Sequence, residues 1–192
     1  MQIVLASRSP QRQKLLGAMG LEFETSPAGI DESRHPGEEP AKYVERLAIA
    51  KALAGSGPGK VVIGADTAVV HRGSILGKPA HPAEARAMLL RLSGESHTVF
   101  TGLAVVSYEG DRPRIRSAVE TSVVRFATVT HSEIDAYIAT GEPLDKAGAY
   151  ALQGIGGIFV ESVEGSPSNV AGLPVHALAR LLRISGVPVL GS

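Results

Sequence analysis

The stretch Val61-Val62-Ile63-Gly64-Ala65-Asp66-Thr67-Ala68-Val69-Val70 decides the architecture. It is apolar at both alternating positions, the pattern of a strand buried on its two faces, which arises where helices cover a sheet from both sides. Upstream, Gly55-Ser56-Gly57-Pro58-Gly59 reads as a loop, and Glu38-Glu39-Pro40 opens a helix that runs to about Ala54. Farther upstream lies a strand, Ile3 to Ala6, then Ser7-Arg8-Ser9-Pro10 and a helix to about Met19. Ser9 is placed as N-cap, Pro10 as first helical residue, and Gly20 past the end. Glu22 to Ser26 reads as a second short strand. Downstream, a turn at His71-Arg72-Gly73 leads to Ser74-Ile75-Leu76-Gly77-Lys78-Pro79. A helix follows from Pro82 to Leu92, with Ala85, Met88, Leu89 and Leu92 on one face and Gly94 closing it. His97 to Ser107 and Ile115 to Phe126 flank Glu109-Gly110-Asp111-Arg112-Pro113 as a hairpin. Thr130 and Glu133 form a capping box for a helix ending at Gly141. A strand at Ile158 to Val163 and a helix from Pro174 to Ile184 complete the pattern. Interleaved helices and strands around an antiparallel pair predict an α/β protein with a mixed central sheet flanked by helices.

The chain has 192 residues, 44% apolar and 20% charged, within the range of one globular domain. At this mass, folding removes roughly 20,000 Å² from water, enough for a core without staples. Nineteen basic residues balance nineteen acidic ones, so no net field draws the chain to nucleic acid or anionic lipid. Aromatic residues are 4% with no Trp, which disfavours a stacking surface for single-stranded bases. With no cysteine, disulfides, thiolate metal sites and thiol catalysis are excluded. Met1-Gln2-Ile3-Val4-Leu5 lacks the basic flank of a signal peptide, and no apolar run is long enough to span a bilayer. A soluble, cytoplasmic protein is the expectation.

Asp66 is the most informative residue. It lies in an otherwise apolar run, and an unpaired carboxylate there would cost more than the strand gains, so it must meet a cation, a metal or a water-filled cleft. A structural ion pair or a strand-end cap is the alternative to a functional role. Lys51 shows the same anomaly. At 100° per residue it falls among Val44, Leu47 and Ala48 on the apolar face of its helix, with no acid on that face, and is either a buried functional lysine or one that snorkels to the surface. Lys78 sits in a Gly-Lys-Pro turn where a solvated lysine is the ordinary outcome. Ser7-Arg8-Ser9-Pro10-Gln11-Arg12 joins a strand to a helix N-terminus and combines free N–H groups, hydroxyls and Arg12 into a candidate anion site, though such a segment also simply caps a helix. Asp31-Glu32 is either a solvated acidic turn or a second carboxylate for a divalent ion. Asp145 to Gly154 is too polar and glycine-rich to be plain core.

Absent motifs narrow the field further. Gly73-Ser-Ile-Leu-Gly77-Lys78 has the wrong spacing for a P-loop, and Gly154-Ile-Gly156-Gly157 lacks the third Rossmann glycine. The six histidines, at positions 35, 71, 81, 97, 131 and 176, have no paired ligand spacing, which disfavours zinc hydrolysis. No Gly-x-Ser-x-Gly elbow is present.

Taken in order, Leu5 to Leu16 (LASRSPQRQKLL), Gly64-Ala65-Asp66-Thr67, Gly77-Lys78-Pro79, Leu92-Ser93-Gly94, Gly141 to Tyr150 (GEPLDKAGAY), Gln153-Gly154 and Gly172-Leu173-Pro174 resemble the Maf family of nucleoside triphosphate pyrophosphatases over nearly the whole chain. The resemblance implies one Maf-like domain spanning residues 1–192, with a two-lobed fold related to inosine triphosphate pyrophosphatases and a cleft between the lobes. It implies hydrolysis of a nucleoside triphosphate to the monophosphate and pyrophosphate, with Mg²⁺ or Mn²⁺, and a homodimer. It makes Asp66 the general base, Ser7, Arg12, Glu32, Lys51, Lys78 and Lys146 the phosphate-site residues, and Asp66 and Glu32 the metal carboxylates. Hard oxygen ligands suit such a metal. Substrate subgroups differ at positions that are here Gln11, Thr67 and Gln153. Thr67 and Gln153 look like the dTTP/UTP type, whereas the 7-methyl-GTP type tends to carry Gln after the Asp and Glu before the Gly. Gln11 departs from the Arg usual in the dTTP/UTP type. The competing expectations are a Maf-type enzyme of different base specificity, such as one acting on 7-methyl-GTP, a nucleotide-binding regulator of septum formation without turnover and, disfavoured by charge, a nucleic-acid binder.

Overall fold

The computed structural model describes residues 1–190 of the chain. In order, the elements are β1 (Gln2–Leu5), α1 (Pro10–Gly17), β2 (Glu24–Thr25), α2 (Pro40–Ala54), β3 (Lys60–His71), β4 (Ser74–Leu76), α3 (Pro82–Leu92), β5 (Ser96–Glu109), β6 (Arg112–Phe126), α4 (His131–Ala139), β7 (Val160–Glu164), α5 (Pro167–Val170) and α6 (Val175–Ile184). Three 3-10 turns, Glu142–Asp145, Ala147–Ala149 and Ile155–Phe159, lie between α4 and β7. The hydrogen-bonded strand order is β2-β1-β3-β5-β6-β7, with β4 also paired to β3. β1 is parallel to β2 and β3, while β3–β4 and β6–β7 are antiparallel, so the sheet is mixed and the α/β class holds.

Several boundaries differ from those the sequence predicts. The first helix stops at Gly17, and the second strand shrinks to two residues. The hairpin turn tightens onto Gly110 and Asp111, with Gly110 taking a φ of 59°, so Arg112 and Pro113 belong to β6. A proline is tolerated there because β7 pairs with β6 only from Val123 to Phe126. The expected strand at Ile158 begins instead at Val160, after Ile155–Phe159 coils into a 3-10 turn. α5 and the turns over 142–149 have no counterpart in the sequence prediction.

The chain divides into two compact units. One comprises Met1–Asp66, Thr101–Glu120 and the described residues from Gly172 to Leu190; the other comprises Thr67–Phe100 and Thr121–Ala171. β3, β5 and β6 each contribute residues to both.

In the first unit the strands sort their side chains by parity. Val4, Ala6, Val62, Ala104 and Val106 form one cluster with Ala48 and Ala52 of α2. Leu5, Val61, Ile63, Ala65, Leu103 and Val105 form the other, with Leu16 of α1 and Ala177, Leu178, Leu181 and Leu182 of α6. This is the two-sided burial that the run through Asp66 predicts. The α2 face is the closer packed. A Cβ on Gly64 would lie 2.1 Å from the Ala48 carbonyl oxygen and 2.8 Å from the Ala52 nitrogen; one on Gly102 would lie 2.2 Å from the Val44 carbonyl oxygen. α2 therefore rests backbone to backbone on β3 and β5 at two glycines. Asp66, two residues along from Gly64, projects from the same face of β3 toward that helix.

In the second unit, Ala85, Met88, Leu89 and Leu92 of α3 pack with Ile134 and Tyr137 of α4 and with Val69, Val99, Val124 and Phe126 from the strands. The capping box of α4 forms as predicted: the Thr130 hydroxyl accepts from the Glu133 amide, and the Glu133 carboxylate accepts from the Thr130 amide.

Gly64→Ala should destabilise the fold by about 3 kcal/mol, the upper part of the usual overpacking range, because both opposing atoms are backbone and cannot swing aside. Gly29→Ala, where a Cβ meets nothing within 4 Å, should change little. Denaturant unfolding of the two variants compares them, and equal midpoints would remove the tight seating of α2.

Candidate active site

The Lys51 ammonium lies 2.7 Å from Asp66 Oδ1 and 2.8 Å from Glu32 Oε1. Lys51 and Asp66 are each only 8% exposed, whereas Glu32 reaches in from an exposed loop. The two anomalies of the sequence are thus each other's answer. Lys51 has no acid on its own helix face; its partners come from β3 beneath and from the loop above. Burial pushes the Asp66 pKa up, and repulsion from Glu32 adds to this; Lys51 and then Arg12 oppose it, and the net direction is upward.

Glu32 is brought there by an irregular segment from Ser26 to Glu39, long enough that a structural reason for its order is required. α2 supplies it. The Tyr43 hydroxyl donates to the Glu32 carbonyl at 3.0 Å. Arg46 grips Glu38 with both prongs, Nε to Oε1 at 2.7 Å and Nη2 to Oε2 at 2.8 Å, while Nη2 also donates to the Ser33 carbonyl at 3.0 Å. The Asp31 carboxylate accepts from the Ser33 amide at 2.8 Å, closing a local turn. Hydrogen bonding to Arg46 carries the Glu38 pKa down to about 2, so the grip persists through the physiological range. Tyr43, Arg46 and Lys51 hold the loop from three turns of one helix.

The first loop builds a second arm of the cluster. Ser9 caps α1 by accepting from the Arg12 amide, and its own amide donates to the Ser7 hydroxyl at 3.2 Å. Arg12 Nη1 donates to the same hydroxyl at 3.3 Å, and Nε to the Gly172 carbonyl at 2.8 Å, so the guanidinium is fixed by the chain just before α6. Loss of water pushes the Arg12 pKa down against the pull of Asp66 and Glu32. Gln11 is half-buried in the first turn of α1.

The remaining predicted residues belong to the second unit. Lys78 is exposed after β4, and Lys146 is half-buried and paired with the Asp145 carboxylate. Their turns are joined, since the Gly148 amide donates to the Gly77 carbonyl at 3.0 Å. Gly148, at a φ of 71°, packs against Val69 with no room to spare for a Cβ. Thr67 is half-buried and follows Asp66 along β3, and Gln153 is exposed ahead of the turn at Ile155.

No cluster of three or more His, Asp or Glu side chains able to hold a metal occurs among the described residues. The donor set at Asp66 and Glu32 is two carboxylates on one ammonium. That set fits a hard divalent cation of the kind that takes one or two carboxylates and completes its shell with phosphate oxygens and water.

Tyr43, Arg46 and Glu38, which hold the loop that carries Glu32, are the residues of this cluster that the sequence reading misses. Nothing in the spacing links Glu38 to Arg46, because the pair forms only when the loop folds back on α2. Gly64 did carry a signal, an isolated glycine inside a strand pattern, which marks a close backbone approach.

Arg46→Ala should free residues 31–38. Tryptic cleavage after Arg34 is expected to quicken roughly tenfold, as loss of a bidentate charged pair raises the open population. Unchanged cleavage would mean that Arg46 does not hold the loop.

The family described as "Maf-like protein" matches residues 2–184. The chain is 52% identical over 188 residues to the dTTP/UTP pyrophosphatase of Anaeromyxobacter sp. (strain Fw109-5), covering 97% of this chain and 91% of the relative. It is 51% identical over 187 residues to that of Anaeromyxobacter dehalogenans (strain 2CP-C), covering 97% and 95%. It is 47% identical over 190 residues to that of Symbiobacterium thermophilum, covering 98% and 96%. No helix among the described residues is long and apolar enough to cross a membrane. With a profile match over nearly all its length and relatives at about half identity, the chain belongs to the Maf family.

Proposed function

We propose that this chain hydrolyses dTTP and UTP to the nucleoside monophosphate and pyrophosphate, with Asp66 as the general base, and that its two units act as one Maf-like domain. The observation that carries this is the buried Asp66 carboxylate, raised in pKa yet held by Lys51 beside Glu32 and Arg12. A base working near neutral pH needs a pKa above the ordinary carboxylate range, and burial supplies that direction.

In the reaction a water oxygen bonds to the α-phosphorus as its bond to the bridging oxygen breaks. The electron pair leaves with pyrophosphate, and the water's proton passes to Asp66. Lys51 orients the Asp66 carboxylate and, with Arg12 and Ser7, offsets phosphate charge. Arg12 is pre-positioned by Gly172 and Ser7, so little reorganisation accompanies charge build-up on the leaving group. Lys78 and Lys146 are the further cations that the family resemblance assigns to the substrate. Asp66 and Glu32 would hold a divalent cation, Mg²⁺ or Mn²⁺, which supplies additional charge stabilisation when bound. Thr67, Gln11 and Gln153 are the specificity positions. A glutamine suits a pyrimidine because its amide both donates to and accepts from the uracil edge. The names of the relatives support that base class.

Assayed over a panel that includes dTTP, UTP and 7-methyl-GTP, the protein should release pyrophosphate and no orthophosphate, fastest from the first two. Asp66→Asn should lower kcat by roughly 10² to 10⁴, the usual contribution of a positioned base. An Asp66→Asn enzyme as fast as the parent would remove the general-base assignment.

The acidic limb of kcat/KM against pH should fall with an inflection above the free aspartate value of about 3.9. A rate that stays flat down to that value would contradict a raised Asp66.

A further inference from the structure

Glu142, in the Gly141-Glu142-Pro143 motif, has no part in the chemistry above, yet its carboxylate accepts three hydrogen bonds. Oε1 accepts from the Gly156 amide at 3.0 Å and from the Tyr137 hydroxyl at 2.8 Å, and Oε2 accepts from the Ile155 amide at 3.0 Å. The Tyr137 hydroxyl in turn accepts from the Ala151 amide at 3.3 Å. The pair therefore grips the chain at residue 151 and again at 155 and 156, and Gln153 lies in the middle of the gripped segment. The Gly154 amide closes the turn on the Ala151 carbonyl at 3.2 Å.

The fit leaves no slack. A Cβ on Gly154 would come within 2.3 Å of Glu142 Oε2, and one on Gly156 within 2.4 Å of the Tyr137 oxygen. Tyr137, on α4, is itself buried in the cluster that includes the α3 side chains, edge-on to Phe159. The grip is thus anchored in the core, although Gln153 is exposed. Burial pushes the Glu142 pKa up, but the hydrogen bonds from Gly156, Tyr137 and Ile155 and the charge of Lys146 outweigh it, and the net direction is down.

We propose that Glu142 is a positioning residue for base selection: with Tyr137 it sets the backbone that presents Gln153, so base discrimination depends on Glu142 although it need not touch the base. This rests on Gln153 reading the base. A small displacement of a positioned group can cost a large factor in rate.

The test is an NMR titration of the Ile155 and Gly156 amide protons, paired with the ratio of kcat/KM for dTTP over dGTP, in wild type, Glu142→Gln and Tyr137→Phe. In the wild type both amide signals should move together as Glu142 takes up a proton, at a pH below the ordinary glutamate range. In Glu142→Gln that titration should vanish and the ratio should fall about tenfold. Tyr137→Phe, which keeps the ring in the core, should lower the ratio in the same direction and by less. Amide signals that do not titrate in the wild type, or a Glu142→Gln ratio equal to the parent's, would overturn the proposal. If the wild type turned over neither nucleotide, the hydrolase reading would fall separately. The same ratio would then be taken from the Kd values for dTTP and dGTP, and its constancy in Glu142→Gln would again overturn the role of Glu142.

Discussion

The contact on which the rest depends is the seating of α2 on bare backbone. Gly64 of β3 and Gly102 of β5 leave no side chain between sheet and helix, and Ala48 and Ala52 complete the close approach. Here Lys51 ends on Asp66 at 2.7 Å, and the carboxylate that an apolar strand could not otherwise tolerate has its counter-charge. Tyr43 and Arg46 then carry the loop that brings Glu32 to the same ammonium.

The raised Asp66 makes stability depend on pH. A carboxyl whose pKa is raised in the folded state binds its proton more tightly there than in the unfolded chain. Its contribution to stability is therefore largest below the unfolded pKa and is lost as pH rises through the folded one. At neutral pH Asp66 is a cost borne by the surrounding core. Glu38 has the opposite sign: its folded pKa is lowered, so its pairing with Arg46 contributes above the ordinary glutamate pKa and fades only as pH falls toward 2. The loop grip is thus intact over the range in which a raised Asp66 changes charge.

Elements whose signal is local were readable from sequence. The buried strand through Asp66, the Ser9 cap and the Thr130–Glu133 box all depend on residues within a few positions of one another. So did the burial anomalies of Asp66 and Lys51, because a charge among apolar neighbours is visible without a fold. Partners were not readable. The Arg46–Glu38 grip joins a helix to an irregular loop, and Glu142 draws on amides thirteen and fourteen positions away. The strand predicted at Ile158 failed for a related reason. Ile158 and Phe159 have strand-like side chains, but the amides of Ile155 and Gly156 are committed to Glu142, and the backbone turns as a 3-10 segment instead. Tertiary hydrogen bonds overrode local propensity there.

Lys51, at 2.7 Å, is the counter-charge that keeps the buried Asp66 ionisable although its pKa is raised. Direct observation of the Asp66 side-chain carboxyl carbon by NMR, titrated in the wild type and in Lys51→Met, tests it. A midpoint above the free aspartate value of about 3.9 is expected in the wild type. A further rise is expected in Lys51→Met, where burial acts without its counter-charge. A wild-type midpoint at or below the free value, or one that Lys51→Met leaves in place, would contradict it.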